Sequence, residues 1–500
     1  MDELKTPSQK DSAITLGNDS LSRLPQSVAT PNYDRGALTA GIVHIGLGNF
    51  HRAHQAWYIH RLLQKGLAQD WAIIGASVRH QDQEMRQQLV DQDCLTTLIE
   101  LSPDHKSAEV IGSMIDYLPI TEDHSALVRQ MSDAATKITS LTITEGGYFI
   151  SPTDGGLDLS HADICHDMRA PDQPRSVFGA IVAALKARRA AGTGPMTILS
   201  CDNLRGNGDI TRQAVVTLAN QTDPDLAQWI DTQCSFPNSM VDCIVPATGP
   251  NERALTKEFG IKDTVPVTHE NFRQWVIEDD FCAGRPPLEA VDVIITPDVH
   301  AYEAMKIRVL NAGHQVLANF GELLSVETIA ECMADPLISE FFQKVERSEI
   351  TPYVADVPGI TATEYLSLIT TRFSNTEIRD TTRRVAFDGS SRHKEFILPI
   401  LRDALAVGGS IEGLALVEAL WARQCAGTRA DDSIIQDNDP NWAMLHDAAT
   451  QSETQPEAWL TLCPIYDDLA QNAVFKEAFC RWLGLIWTDG PAKAVATYLA

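Results

Sequence analysis

No stretch of this 500-residue sequence stays apolar for the roughly 18 residues that a membrane-crossing helix needs, so a transmembrane helix is excluded. Basic clusters are missing as well. Lys and Arg number 40 against 67 Asp and Glu, for a formal net charge of −27. General nucleic-acid binding is therefore not expected, because neutralising phosphates takes a concentrated basic surface. A small anionic substrate is not excluded, since two or three arginines can reverse the field inside a cleft. The ten cysteines are scattered and form no C-x-x-C pair, which argues against a disulfide framework or a structural zinc and for reduced, buried thiols. The opening MDELKTPSQKDSAITLGNDS is polar and acidic, without the apolar core of a secretory signal. The cytoplasm is the expected compartment.

What is present is globular: 44% hydrophobic and 21% charged residues. The length calls for two or three domains. Residues 1–39, rich in Ser, Asp, Pro and Gln, read as an extended or loosely docked lead-in. The texture then changes. GIVHIG (41–46) is an apolar run closed by glycine, HRAHQAWYIHRLLQKG (51–66) has helical spacing, and WAIIGASV (71–78) is a second apolar run. Strand, glycine turn, helix and strand make a βαβ unit. Further strands are expected at 95–101, 109–114, 138–144, 196–201, 240–245 and 291–296, with hairpin-like material around 95–114 and helices near 122–134, 174–191 and 208–233. From about residue 298 the periodicity is mostly helical. The expected architecture is α/β: a Rossmann-type cofactor domain with an extended sheet over 40–295, then a mostly α-helical substrate and catalytic domain over 296–500.

Gly46-Leu47-Gly48-Asn49-Phe50-His51 falls at the first strand-to-helix turn. Glycines there let the backbone turn tightly and approach a pyrophosphate resting on the helix start. His51 stands where the third glycine of G-x-G-x-x-G would be, so the signal draws its weight from the βαβ context. Ile45, Gly46, Gly48, Phe50 and Arg52 are the candidate cofactor residues of this turn. Asp82, the first carboxylate after the second strand, is placed to bind ribose hydroxyls and so favours NAD, although it could also cap the helix starting near Glu84. Arg79 beside it keeps NADP open. Glu145, followed by two glycines, either reaches the nicotinamide side or simply belongs to a glycine turn.

Four polar groups interrupt an otherwise apolar helix in EAMKIRVLNAGH (303–314). At about 100° per residue, Glu303, Lys306, Asn311 and His314 fall within an arc of roughly 140°. A solvated face with a Glu/Lys pair would explain part of this, but not the company Asn311 and His314 keep with Leu310, Val316 and Leu317. A lysine desolvated in an apolar pocket has its pKa pushed down and can act as a base near neutral pH. It would take an alcohol proton while hydride leaves the same carbon. Asn311 would hold the alkoxide-like oxygen, with Asn203, at the end of MTILSC, as the second amide donor.

These segments, together with LTITEGGY (141–148), SCDNLRGNG (200–208), FPNSMVD (236–242), QWVIEDDF (274–281), FSN (373–375) and DGSS (388–391), resemble the long-chain mannitol dehydrogenase family from about residue 40 to the C-terminal region. That family includes fructuronate and tagaturonate reductases and D-arabinitol dehydrogenase. The resemblance implies a zinc-independent, NAD-dependent polyol dehydrogenase, with Lys306 as general acid/base and Asn203 and Asn311 as the oxyanion pair. It also implies Glu303 as a proton relay and His314, Asp242, Arg384 and Arg392 at the substrate. Two positions depart from the mannitol-specific pattern: Arg392 replaces a lysine after DGSS, and Ala312-Gly313 replaces Gly-Ser before the histidine. LTITEGGY and DGSS resemble the mannitol-oxidising members more than the uronate reductases, which implies D-mannitol oxidation to D-fructose. The expected partners are NAD and a small polyol or ketose, with neither nucleic acid nor membrane; subunit number is left open. The alternatives are a uronate reductase, with Arg384 and Arg392 clamping a carboxylate, or a D-arabinitol 4-dehydrogenase. From other classes come a non-catalytic cofactor-binding regulator, which the intact Lys306/Asn311/His314 set opposes, and a zinc alcohol dehydrogenase.

Overall fold

The computed structural model describes residues 13–151 and 154–500 and divides the chain into two compact units, parted between His300 and Ala301. The first twelve residues of the polar lead-in, which carry most of the leader reading, lie outside the described residues.

The first unit is built on a five-stranded parallel sheet. Its strands lie in the order Met114–Tyr117, Ala72–Ala76, Ala40–Ile45, Ile138–Leu141, Thr197–Ser200. Ala40–Ile45, Ala72–Ala76, Ile138–Leu141 and Thr197–Ser200 are buried at every position, as the continuous apolar runs require of a parallel sheet covered on both faces. Ile42 packs into one core with Ile59, Leu62 and Ile73, while its neighbour Val43 faces the other, with Phe178, Ile181 and Leu185. From Ala40–Ile45 the chain builds outward to one edge, then crosses back to build the other side. The order therefore reverses between Ala40–Ile45 and Ile138–Leu141, where open α/β sheets bind ligands at the strands' carboxyl ends. The unit holds three further sheets, one of which contains the hairpin Thr96–Ser102 and His105–Ile111, paired down to Ser102 opposite His105.

Three differences from the sequence reading have physical causes. The lead-in is docked rather than loose from residue 14 onward. Ile14–Thr15 pairs with Ile261–Lys262, Val28–Ala29 pairs with His105–Ile111, and Leu16 and Val28 are buried. The expected helix over 51–66 is two helices, Asn49–Ala53 and Gln55–Gln64, because His54 (φ −118°, ψ −93°) leaves the helical region. The expected helix over 208–233 also divides, into Asn207–Asn220 and Pro224–Gln233. Asp223 caps the second through the Leu226 N–H, and Pro224 opens it.

The second unit is helical. Ala312–Leu323, Glu412–Gln424 and Ala473–Asp489 each bury an apolar face, and Phe320, Phe341, Trp421 and Phe479 are among the large core side chains. Three segments of it are π-helical: Lys306–Asn311, Glu346–Ile350 and His393–Ile397. Such wide turns are uncommon and concentrate at functional sites. No described helix is long and apolar enough to cross a membrane.

Candidate functional site

In the first unit the glycine turn sits at the reversal point of the sheet. Gly46 has φ +98°, and a Cβ added there would come 2.0 Å from the Thr142 carbonyl oxygen, so only glycine fits. The Gly46 N–H donates to the Ala76 carbonyl at 3.1 Å, and the Thr142 N–H to the Ile45 carbonyl at 3.0 Å. A Cβ at Gly48 would meet nothing within 4 Å. The helix start at Asn49 therefore faces open space, a cradle that suits the close approach of a diphosphate.

The missing third glycine has a structural counterpart. The third glycine normally lets helix and strand pack closely. Here His51 lies flat on His44 of the strand, ring centroids 3.4 Å apart at 13°. Both rings are fully buried. Burial pushes His44 down to about 3 and His51 well below its usual value, so the stack is neutral. His44 is held by Ser140 Oγ at 2.8 Å and Thr142 Oγ1 at 2.9 Å.

Arg52 corrects the sequence reading. Its side chain is fully buried, and its guanidinium donates to Val265 O, to Gly48 O at 3.3 Å and to Asn49 Oδ1 at 2.7 Å. It braces the turn from inside instead of facing a ligand. Asn49 in turn donates to Pro246 O and Thr248 Oγ1. Ile45 is buried in the strand, and Phe50 stacks on His54 at 4.8 Å. His54 and His60 are core histidines: His54 meets the Gln274 carbonyl at 2.9 Å and His60 the Tyr33 hydroxyl at 2.7 Å.

Asp82 stands just past the second strand and accepts from Ser77 Oγ and from Arg79 Nε and Nη2 at 3.2 Å each. Glu145 is exposed in the short turn that follows the fourth strand. Asn203 is exposed beyond the end of the fifth. Asp242 ends the strand Ser239–Asp242 and is buried.

In the second unit the predicted catalytic helix is not continuously α-helical. His300–Met305 is α-helical, Lys306–Asn311 is a π-helix, and Ala312–Leu323 resumes the α-helix. The Ala312 N–H donates to the Ile307 carbonyl, five residues back. The arc reckoned at a constant angle per residue therefore does not apply. The wide turn instead spans Lys306 to Asn311, placing the amine and the amide at its two ends. Glu303 and Lys306 are buried. His314 is stacked on Phe373 at 4.2 Å, with its Nε2 3.9 Å from Asp380 Oδ2. Burial pushes this imidazole down to about 4; Asp380 pulls it up, and Arg384, Arg372 and Arg392 press it down. It is neutral at physiological pH.

Asp380 also grips Arg384 through two bonds of 2.6 Å. Arg384 and Arg392 line an open pocket of about 430 Å³ together with Thr381, Arg383, Phe387 and Asn438. The structure thus brings His314, Arg384 and Arg392 into one electrostatic group. Asp380 and Phe373 are the members that sequence reasoning missed. A carboxylate four residues before Arg384, and the phenylalanine of the quoted FSN, were the available signals. Among the described residues no group of three or more His, Cys, Asp or Glu could hold a metal ion.

Comparison with known proteins agrees with this geometry across both units. Residues 40–290 match the model of the mannitol dehydrogenase Rossmann domain, and residues 298–487 that of the mannitol dehydrogenase C-terminal domain. The chain is 51% identical over 477 residues to a mannitol 2-dehydrogenase of Cereibacter sphaeroides, covering 95% of this chain and 100% of that one. A mannitol 2-dehydrogenase of Phaeosphaeria nodorum is 37% identical, covering 97% and 86%. The fold matches a ternary complex of Pseudomonas fluorescens mannitol 2-dehydrogenase with NAD and D-mannitol, at a TM-score of 0.87 and 38% identity over 97% of this chain and 99% of that one. It also matches a D-sorbitol dehydrogenase in substrate-free form, at 0.88 and 32% identity over 96% and 100%.

Proposed function

The chain belongs to the mannitol dehydrogenase family, and from that premise we propose that it oxidises D-mannitol to D-fructose with NAD, using a lysine base and no metal. The observation that carries this reading is the reach of the likeness, which runs nearly end to end to a protein whose complex holds NAD and D-mannitol.

The residues present fit the cofactor. The Gly46–Gly48 turn leaves open space for a diphosphate at the start of the following helix, and Asp82 offers a carboxylate to the ribose hydroxyls. Bound NAD supplies the nicotinamide that accepts hydride. Lys306 takes the hydroxyl proton, and Glu303, three residues before it, passes that proton on. Asn311 donates to the oxygen on which charge develops, and Asn203 of the first unit keeps the second-donor role that the resemblance implies. His314, neutral because it is buried, can accept from or donate to a sugar hydroxyl without adding charge. The resemblance also implies Asp242, Arg384 and Arg392 as contacts for a polyhydroxylated chain, and Glu145 is assigned to the nicotinamide side.

A uronate would want a free arginine fork. Asp380 already occupies the Arg384 fork with two short bonds, which supports a neutral polyol over a carboxylate. All ten cysteines are free thiols, which supports the reducing cytoplasm as the compartment. Initial rates with NAD on D-mannitol, D-sorbitol, D-arabinitol, D-mannonate and D-altronate test the reading. D-Mannitol should give the highest kcat/KM; a preference for either aldonate would replace it with the reductase reading.

A further inference from the structure

Thr144 occupies backbone space that a β-branched residue rarely enters. Its φ is +62° and its ψ 164°, a region that is essentially glycine's own. The strained residue lies in the turn that follows the fourth strand, at the reversal point of the sheet and two residues after Thr142, the residue against which Gly46 is packed. Holding a threonine there costs free energy, so something must over-determine the conformation.

That something is Asp202. Past Leu141 and Cys201 the fourth and fifth strands part, and the Asp202 carboxylate bridges the gap. Oδ2 accepts the Ile143 N–H and Oδ1 the Thr144 N–H, each at 2.9 Å, so two successive amides are gripped by one carboxylate. Tyr148, at the far end of the same turn, donates its hydroxyl to Oδ2 at 2.8 Å and also meets Ser200 Oγ. Asp202 and Tyr148 are both buried. Charge-assisted bonds of this kind are roughly twice as strong as neutral ones. Asp202 also immediately precedes Asn203, so the same clamp fixes the end of the fifth strand.

We propose that Asp202 is a positioning residue that holds the Thr142–Tyr148 turn in its strained conformation beside Gly46, and that affinity for the dinucleotide depends on this clamp. The inference rests on the reading of the glycine turn as the NAD site. Asp202 acts through Thr144 and Glu145 and does not itself touch the cofactor. The strain is fixed before the cofactor arrives, so the ordering cost is met on folding and not on binding.

The test is carried out on the full-length enzyme, by NADH fluorescence titration and by steady-state kinetics. Asp202→Asn keeps the shape but leaves an NH₂ facing an N–H. It should raise the NADH Kd and the NAD KM about tenfold, within the range that releasing such strain allows, while the D-mannitol KM at saturating NAD stays within about twofold. Tyr148→Phe removes one donor only and should give a smaller rise of about threefold, which serves if Asp202→Asn does not fold. The decisive variant is Asp202→Asn with Thr144→Gly. Glycine takes this φ without strain, so the turn no longer needs its clamp and the NADH Kd should return to within about threefold of the parent. A purely structural role would lower the melting temperature and the active fraction, leave both KM values alone, and show no such rescue. An unchanged NADH Kd in Asp202→Asn and Tyr148→Phe, or no recovery in the double variant, overturns the proposal. If the parent binds NADH but oxidises no polyol, the substrate reading falls and the Kd series still decides this one. A parent that binds no NADH overturns both.

Discussion

A methyl group on Gly46 would stand 2.0 Å from the carbonyl oxygen of Thr142, whereas one on Gly48 would touch nothing within 4 Å. The two glycines of the turn therefore do different work. Gly46 is demanded by the fold, through its φ of +98° and the neighbouring strand. Gly48 leaves room for a ligand. Gly46→Ala should destabilise the first unit by about 2–4 kcal/mol or more, since a backbone clash adds to a strained φ. Gly48→Ala should melt at the parent's temperature yet raise the NAD KM by about tenfold or more, because the added methyl occupies only the diphosphate's approach. Differential scanning calorimetry and NADH titration on the two variants separate the effects; equal loss of stability in both would refute the division.

In the proposed mechanism the base Lys306 and the oxyanion donor Asn311 stand at the two ends of one six-residue wide turn. Lys306→Ala should lower kcat by about 10³-fold or more while NADH still binds, since a general base contributes 10²–10⁴. Asn311→Ala should cost about 10²–10³ in kcat with little change in the NAD KM. Near-normal turnover in Lys306→Ala would remove the lysine from the mechanism.

How much of this was legible depended on how local each signal is. The parallel sheet was readable because GIVHI, WAIIGA and MTILS are short, unbroken apolar runs, the mark of strands covered on both faces. Val267–Glu270 and Gln274–Glu278 were not assigned as strands, because VTHE and QWVIE are short and mix polar with apolar residues. The wide turn had no signature either. KIRVLN has the composition of any α-helix, and the extra residue per turn is a matter of hydrogen-bond register. Asp202 was passed over beside Asn203 because the amides it grips lie 59 and 58 residues away. Arg52 shows the converse: the motif points to a cofactor contact, but its side chain turns inward to Val265.

On the proposed reading, the choice between NAD and NADP turns on Asp82 and Arg79. The carboxylate accepts from the Arg79 fork at 3.2 Å, with the arginine side chain 59% exposed. Asp82→Ser removes the carboxylate that would repel a 2′-phosphate and frees the guanidinium to meet one. The NADP KM should fall about tenfold or more and the NAD KM should rise, measured with D-mannitol saturating. Asp82→Ser combined with Arg79→Ala should lose the gain for NADP. If NADP kinetics do not respond to either change, the pair lies outside the ribose site.

Acid should act unequally on the two units. In the first, burial pushes His44, His60 and His269 down to about 3 and His51 well below its usual 6.5. Each is neutral when folded but protonated when unfolded once the pH drops below about 6.5, so the unfolded state binds more protons. Their stabilising contribution is full above that pH and is lost as the pH falls toward 3, at up to about 1.4 kcal/mol per pH unit for each histidine. Asp202, which burial raises, opposes them only in part. In the second unit His314, pushed down to about 4, has the same sign. Glu346 has the opposite one: it is fully buried, neither oxygen has a hydrogen-bond partner among the described residues, and desolvation holds its carboxyl well above the usual range. It stays protonated in the fold where the unfolded chain would release the proton, so its contribution is present below about pH 4.5 and declines as the pH rises. Between about 4.5 and 6.5 the two nearly cancel. Calorimetry from pH 7 to 5 should therefore move the first unit's transition downward by more than the second's. Glu346→Gln removes the opposing group, and the second unit should then lose stability in acid as His314 alone dictates. A second-unit transition with the same pH slope in parent and variant would show that Glu346 is ionised in the fold.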